Sequence, residues 1–219
     1  MNKIKISNRL KKISEYIDSS KKIIDIGCDH ALLGIYLCSK NKNLHVIASD
    51  INEKPLIKAH DNILKYHMED VIKIKQGDGL VSMENDVDTI IISGMGSINM
   101  VNILKSINDY PNVENIVLSP NNDFMYLRCE ISKLGFKIEK EEIVYENSKY
   151  YLIIKFVKGH DKINCFFGKL DLNNKINLDY FKNLYKKNND ILEKINDSDL
   201  IKKDEIMKEN EMIKNKVNL

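Results

Sequence analysis

The chain of 219 residues lacks several features that mark common classes of protein. Its four cysteines form no CxxC pair and have no histidine at ligand spacing, which argues against a zinc site or a disulfide framework and favours reduced thiols. No apolar run approaches the ~18 residues of a membrane helix. The N-terminal segment is too polar for a signal peptide. We therefore expect a cytoplasmic protein with no membrane or metal partner.

Arginine is also scarce, since only Arg9 and Arg128 occur among the 34 cationic residues. AT-rich codon usage explains the excess of lysine, so the lysine count says little about function. Residues 1–24 nevertheless hold seven Lys or Arg against two acids, whereas the rest of the chain holds 27 against 30. This basic N-terminus indicates either a polyanionic partner or a solvated helix face. The first alternative makes Arg9, Lys11 and Lys12 candidates for substrate binding, and Arg128, the other of the two arginines, is a further candidate.

The first two thirds of the chain alternates strand and helix patterns. Ser7 can cap a helix that runs to about Asp18. Further helices are predicted over residues 30–40, 53–66, 98–108 and 123–134, and strands over residues 22–27, 44–50, 71–76, 87–93 and 113–119. The strands are continuous apolar runs, which are typical of a parallel sheet covered on both faces. The pattern predicts a doubly wound α/β domain.

Two adjacent strand patterns, residues 136–147 and 149–157, predict an antiparallel hairpin at the edge of the sheet. Such a hairpin is what a Rossmann-like sheet of the class I methyltransferase type adds, whereas a dinucleotide oxidoreductase adds another parallel half. Beyond Gly159 the composition changes, and residues 178–195 and 200–217 predict a helical hairpin. We therefore expect a methyltransferase-type α/β domain over residues 1–159 and a helical appendage over residues 160–219.

The segment that follows the first strand, from Asp25 to Ala31, is the strongest indication of a ligand site. Gly27 would let the backbone approach a nucleotide-like ligand, and Asp50 at the end of the next strand would bind ribose hydroxyls. Asp29 stands where a phosphate-binding loop has a second glycine, and its charge would repel phosphates. This disfavours NAD, whereas a cationic ligand without phosphates, such as S-adenosylmethionine, would tolerate the carboxylate. His30 is either a helix-start cap or part of the site.

Small and polar residues also follow the later strands. Asp78, followed by Gly79, could bind an adenine amino group, or the pair could form a simple turn. Gly94, Met95 and Gly96 indicate close approach of the backbone to a ligand. Asn121 could bind a base edge, or belong to a plain turn. The candidate cofactor-binding residues are Asp25, Gly27, His30, Asp50, Asp78, Gly79, Gly94, Met95 and Gly96.

Taken together, these motifs resemble those of bacterial tRNA (adenine-22-N1)-methyltransferases. The matching segments occur in the same order along nearly the whole chain: residues 6–10, residues 25–31, Gly77 to Leu80, Ser93 to Gly96, Ser119 to Asn121 and Phe166 to Gly168. The resemblance implies a class I methyltransferase domain with a C-terminal coiled coil, S-adenosylmethionine as cofactor and tRNA as substrate. We expect a monomer.

Methylation of adenine N1 needs little from the protein beyond alignment, because N1 carries its own lone pair. An acceptor for the N6 amino group would push electron density toward N1, and a carboxylate would favour the cationic product. Asp29 and Asn121 are the candidate catalytic residues. The alternatives are a class I methyltransferase for another RNA or a small molecule, and a non-catalytic RNA-binding module.

Overall fold

The computed structural model describes residues 4–17, 19–196 and 199–217. One sheet contains seven strands: β1 (Lys22–Ile26), β2 (His45–Asp50), β3 (Ile72–Gln76), β4 (Thr89–Ser93), β5 (Asn115–Ser119), β6 (Phe136–Glu146) and β7 (Lys149–Lys158). Their order across the sheet is β3-β2-β1-β4-β5-β7-β6. The first five strands are parallel, and β7 is antiparallel to both β5 and β6. The predicted Rossmann-like sheet with an antiparallel edge is confirmed.

The central strands are apolar because helices cover both faces of the sheet. Ile24 in β1 and Ile91 in β4 are fully buried, as are their neighbours along each strand. The parallel register places Ile26 beside Ser49 on one side and Ile92 on the other, so the carboxyl ends of three strands meet at one edge. This edge is where ligands bind in open α/β sheets.

The edge hairpin closes with a two-residue loop, because Glu146 pairs with Lys149. Asn147 and Ser148 both have positive φ, 50° and 61°, as a type I′ turn requires. The hairpin therefore has the tight turn that matches the twist of its strands, and it ends close to the predicted position.

The described residues that precede the end of β7 form five α-helices: α1 (Asn8–Ser14), α2 (Leu32–Lys40), α3 (Glu53–Tyr66), α4 (Ser97–Leu104) and α5 (Phe124–Lys133). Ser7 Oγ accepts the N–H of Leu10 at 3.2 Å, which confirms the predicted cap of α1. The helix ends well before Asp18, which lies outside the described residues. α2 begins two residues later than predicted, because Asp29 and Ala31 adopt positive φ and cannot continue a helix.

The chain divides into two compact units, Met1–Lys169 and Leu170–Leu219. The predicted division after Gly159 is therefore too early. The reason is that the segment 160–169 is hydrogen-bonded into the first unit, where the backbone N–H of Lys169 donates to Glu141. A composition change along the sequence does not reveal this packing.

The second unit is a pair of helices, α6 (Lys175–Leu192) and α7 (Leu200–Val217). α6 begins three residues earlier than predicted because Asn174 caps it through the N–H groups of its first turn. Phe181 is buried, and the amide of Asn188 donates to Glu209 at 3.1 Å. The two helices are antiparallel and pack through both apolar and polar groups. None of the helices in the described ranges is long and apolar enough to cross a membrane.

The expectation that all cysteines are reduced thiols is wrong for one pair. Cys129 in α5 and Cys165 after β7 form a disulfide, with their Cα atoms 5.6 Å apart. Cys28 and Cys38 are free and buried. The bonded residues are separated by 36 positions, so only tertiary folding brings them together.

Arg128 lies beside this disulfide and is buried, with 1% of its side chain exposed. Its Nε donates to Glu141 Oε2 at 2.9 Å, and its Nη1 donates to the carbonyls of Cys165 and Phe166 at 3.1 and 2.9 Å. The predicted role of Arg128 in substrate binding is therefore wrong. The guanidinium instead ties α5, β6 and the segment 160–169 together.

We expect Arg128→Ala to lower the free energy of unfolding by about 3–5 kcal/mol, because it leaves the buried Glu141 carboxylate without its counter-charge. Urea denaturation followed by circular dichroism measures this change. Lys133→Ala, at an exposed position of the same helix, is the matched control and should change stability by less than about 0.5 kcal/mol. Equal stability of the two variants would show that the buried pair does not hold this region.

Candidate active site

The carboxyl ends of β1, β2 and β4 surround a cavity of about 460 Å³, a volume suited to a small-molecule ligand. Ten of the predicted site residues line it: Arg9, Asp25, Gly27, Asp29, His30, Asp50, Asp78, Gly79, Gly94 and Met95. Gly96 and Asn121 lie in the adjoining loops and do not line the cavity. Lys11, Lys12 and Arg128 lie elsewhere in the first unit. Tertiary folding thus brings together most of the cofactor residues and separates the predicted basic group.

Gly27 forms the turn at the end of β1. Its N–H and that of Cys28 donate to the carbonyl of Ser49, at 2.8 and 3.0 Å, and this joins the ends of β1 and β2. Gly27 has φ of +74°, and a Cβ at this position would overlap the terminal methyl group of Met95. The methyl group could move, but the positive φ would still strain any other residue. The structure thus favours glycine at this position.

Asp29 and His30 occupy the exposed part of the same turn. The Asp29 side chain is 73% exposed, and its Oδ1 lies 3.3 Å from His30 Nδ1. His30 holds the neighbouring helix through its carbonyl, which accepts the amide of Asn62 at 3.0 Å. It does not cap α2, because the residue before that helix is Ala31. Asp29 therefore presents a carboxylate at the mouth of the cavity.

Asp25 and Asp50 form the inner wall of the cavity, and both are buried. Asp50 Oδ1 accepts the backbone N–H of Asn52 at 2.9 Å, which fixes its orientation. Burial, together with the negative charge of Asp50, raises the pKa of the Asp25 carboxyl to about 7. The inner wall is therefore a place where added positive charge would be favourable.

Asp78 and Gly79 follow β3, which lies on the side of β2 away from β1. The N–H of Gly77 donates to the carbonyl of Asp50 at 3.1 Å, which directs the next residues over the end of β2. Gly79 has φ of +57° and begins a short 3-10 helix, Gly79–Ser82, that packs on Ile103. The Asp78 carboxylate is exposed and lines the cavity.

The loops after β4 and β5 are bonded to each other. Asn121 donates its side-chain amide to the carbonyl of Gly94 at 2.6 Å and its backbone N–H to the carbonyl of Met95 at 2.9 Å. Asn122, which the sequence did not single out, accepts the N–H of Ser97 at 3.1 Å and so holds the start of α4. Asn121 therefore shapes this side of the cavity mouth, although it is not part of the cavity wall.

The basic residues of α1 point in different directions. Arg9 enters the cavity and lies over the ring of Tyr151, 5.0 Å from its centroid. Lys12 forms ion pairs with Glu15 and Glu142 at 2.9 and 3.1 Å. Lys11 is exposed, and its ammonium donates to the side chain of Asn8 in the same helix. The three cations therefore do not form one phosphate-binding patch.

The charges of the cavity wall are strongly unequal. Four carboxylates, those of Asp25, Asp29, Asp50 and Asp78, face one guanidinium, that of Arg9. A ligand with several phosphates would be repelled, whereas one that carries positive charge would relieve the repulsion among the carboxylates. S-adenosylmethionine, with a sulfonium and an ammonium group, fits this arrangement. The described residues contain no group of three or more side chains placed to hold a metal ion.

We expect Asp25→Asn to stabilise the ligand-free protein in a pH-dependent manner. The folded state holds the Asp25 proton more tightly than the unfolded state, so its contribution to stability is lost as pH rises from about 4 to about 7. The advantage of the variant should therefore grow over this range toward an upper limit of about 4 kcal/mol. Urea denaturation at pH 5, 6, 7 and 8 measures it, and Asp29→Asn in the exposed turn is the control. Parallel stability profiles for the parent and Asp25→Asn would contradict the expectation.

The chain is similar in sequence and in structure to known methyltransferases. The methyltransferase domain family matches residues 6–154. The chain is 33% identical to the tRNA (adenine(22)-N(1))-methyltransferase of Bacillus subtilis over 177 residues, 78% of this chain and 74% of that one. It is 31% identical to M. capricolum TrmK, solved with S-adenosyl-homocysteine, with a TM-score of 0.86 over 97% of this chain and 98% of that one. A Rossmann-superfamily protein of Streptococcus agalactiae has a TM-score of 0.91 at 26% identity, covering 99% of each chain. The chain therefore belongs to the bacterial tRNA (adenine-22-N1)-methyltransferase family.

Proposed function

We propose that this protein transfers the methyl group of S-adenosylmethionine to N1 of adenine 22 in tRNA. The observation that carries the proposal is an acid-lined cavity at the carboxyl edge of the sheet in a chain of this family. The cavity suits a cationic cofactor, and the M. capricolum relative was solved with the demethylated product of that cofactor. We also propose that the protein acts as a monomer in the cytoplasm.

The residues at the strand ends would bind the cofactor in order across the sheet. Asp50 is oriented by the N–H of Asn52 and would bind the ribose hydroxyls. Asp78, on the far side of Asp50, would bind the adenine amino group. Gly27 has no side chain, so it leaves room at the end of β1 for the remaining part of the cofactor. The Asp25 carboxylate lines the same part of the cavity. When bound there, S-adenosylmethionine supplies an electrophilic methyl group.

The protein's main chemical task is then alignment, because N1 of adenine has its own lone pair. The amide of Asn121 is oriented by its bond to the Gly94 carbonyl, so its Oδ1 would accept a hydrogen bond from the N6 amino group of the target base. The Asp29 carboxylate at the cavity mouth would stabilise the positive charge that develops on the ring.

Methylation of unmodified tRNA transcripts with labelled S-adenosylmethionine tests the function. We expect incorporation into a transcript with adenine at position 22, with the label mapped to N1, and none into the same transcript with guanine at that position. Equal labelling of both transcripts would indicate another RNA position. Binding of cofactor without methyl transfer to any tRNA would instead favour a non-catalytic RNA-binding module.

We propose that the second unit, residues 170–219, contributes to tRNA binding. The first unit already contains the complete sheet and the whole cavity wall, so the helical pair is not needed to build the cofactor site. Its lysines and acids nearly balance, so we do not expect simple charge attraction to explain its role.

Ending the chain after Lys169 should leave cofactor affinity near the parent value and lower kcat/KM for tRNA by about tenfold or more, which is about 1.4 kcal/mol. The cut is placed here because the segment 160–169 belongs to the first unit. Calorimetry with S-adenosyl-homocysteine checks that the cofactor site is intact. A truncated protein that methylates tRNA at the parent rate would contradict a role for the helical pair.

A further inference from the structure

Arg9 is placed differently from the other basic residues of α1. It is half-buried, and among the described residues that line the acidic cavity it is the one Lys or Arg. Among the described residues, no carboxylate forms an ion pair with its guanidinium, although four carboxylates line the same cavity. The guanidinium is therefore available to an anionic group of a ligand.

The position of Arg9 is fixed from both ends. The carboxylate of Glu146 accepts the backbone N–H groups of Asn8 and Arg9, at 2.8 and 3.3 Å. The guanidinium lies on the ring of Tyr151. It also lies over Gly94, because a Cβ there would be 3.6 and 3.9 Å from its two terminal nitrogens. The hairpin β6–β7 thus holds Arg9 against the turn that follows β4. The Arg9 side chain therefore loses little conformational entropy when a ligand binds.

The order of the strands places Arg9 at a defined part of the proposed cofactor. With ribose at Asp50 and adenine near Asp78, the nucleoside lies over β2 and β3. The amino-acid part then extends across β1 toward β4, where Arg9 lies over Gly94. That part carries an ammonium group, for which the cavity offers carboxylates, and a carboxylate, for which the cavity offers the guanidinium of Arg9.

We propose that Arg9 binds the carboxylate of the methionyl part of the cofactor. This inference rests on the proposed function, because it assumes S-adenosylmethionine in the cavity. It replaces the expectation that Arg9 binds the substrate. The half-buried position and the stacking on Tyr151 favour a ligand inside the cavity over an RNA backbone outside it. A planar guanidinium can hold a carboxylate through two hydrogen bonds, which a lysine cannot do.

Calorimetry with two ligands tests the proposal: S-adenosyl-homocysteine and its decarboxylated analogue, which differs only in lacking the carboxylate. Arg9→Gln should raise the Kd of S-adenosyl-homocysteine about 10- to 100-fold, as loss of a charge-assisted contact predicts. The Kd of the analogue should change little, because the analogue has no carboxylate that Arg9 could bind. Lys5→Gln makes the same charge change in the same N-terminal segment at an exposed position, and should leave both Kd values at the parent level.

Two results would overturn the assignment. One is an equal loss of affinity for both ligands in Arg9→Gln. The other is unchanged affinity for S-adenosyl-homocysteine together with a weaker salt dependence of tRNA binding, which would assign Arg9 to an RNA phosphate. The parent protein gives a test that needs no variant, because it must bind S-adenosyl-homocysteine more tightly than the analogue. Binding of neither ligand by the parent would contradict the proposed function itself.

Discussion

The site depends on one repeated backbone interaction, in which the glycine that follows a strand donates its N–H to a carbonyl at or next to the end of the neighbouring strand. Gly27 donates to Ser49, Gly77 to Asp50 and Gly94 to Ser119. Each bond extends the parallel ladder by one step and fixes where the chain leaves the sheet. Glycine suits these points because the backbone must turn sharply, and Gly27 and Gly94 do so with positive φ. The carboxylates next to these turns are thereby held around one cavity.

The cavity concentrates like charges that the protein alone does not neutralise. Asp25 is buried beside Asp50, and the pKa of Asp25 rises to about 7 as a result. Such an arrangement lowers the stability of the ligand-free protein, and a cationic ligand removes the penalty. The same electrostatics reject polyphosphate ligands, so the wall selects between cofactor classes before any specific hydrogen bond forms.

The two arginines of this lysine-rich chain occupy positions where a guanidinium is needed. Arg128 satisfies a carboxylate and two carbonyls at once in a buried setting, which the compact ammonium of lysine could not reach together. Arg9 stacks on Tyr151, as a planar group can. Arg128 stabilises the fold by joining α5 to β6 and to the segment 160–169, whereas Arg9 enters the cavity.

The sequence by itself determined the sheet, its parallel strands, the edge hairpin and the helical pair, because apolar runs, turn residues and periodicity are local signals. It also determined that Asp25, Gly27, Asp50 and Asp78 share a cavity, because parallel strands end at one edge. Only the tertiary structure decided what depends on contacts between distant residues. Cys129 meets Cys165, Arg128 pairs with Glu141, and Arg9 is directed into the cavity by Glu146 of the far hairpin. Neither the spacing nor the type of these residues predicts such contacts, because they form only when the packing of the elements brings distant residues together.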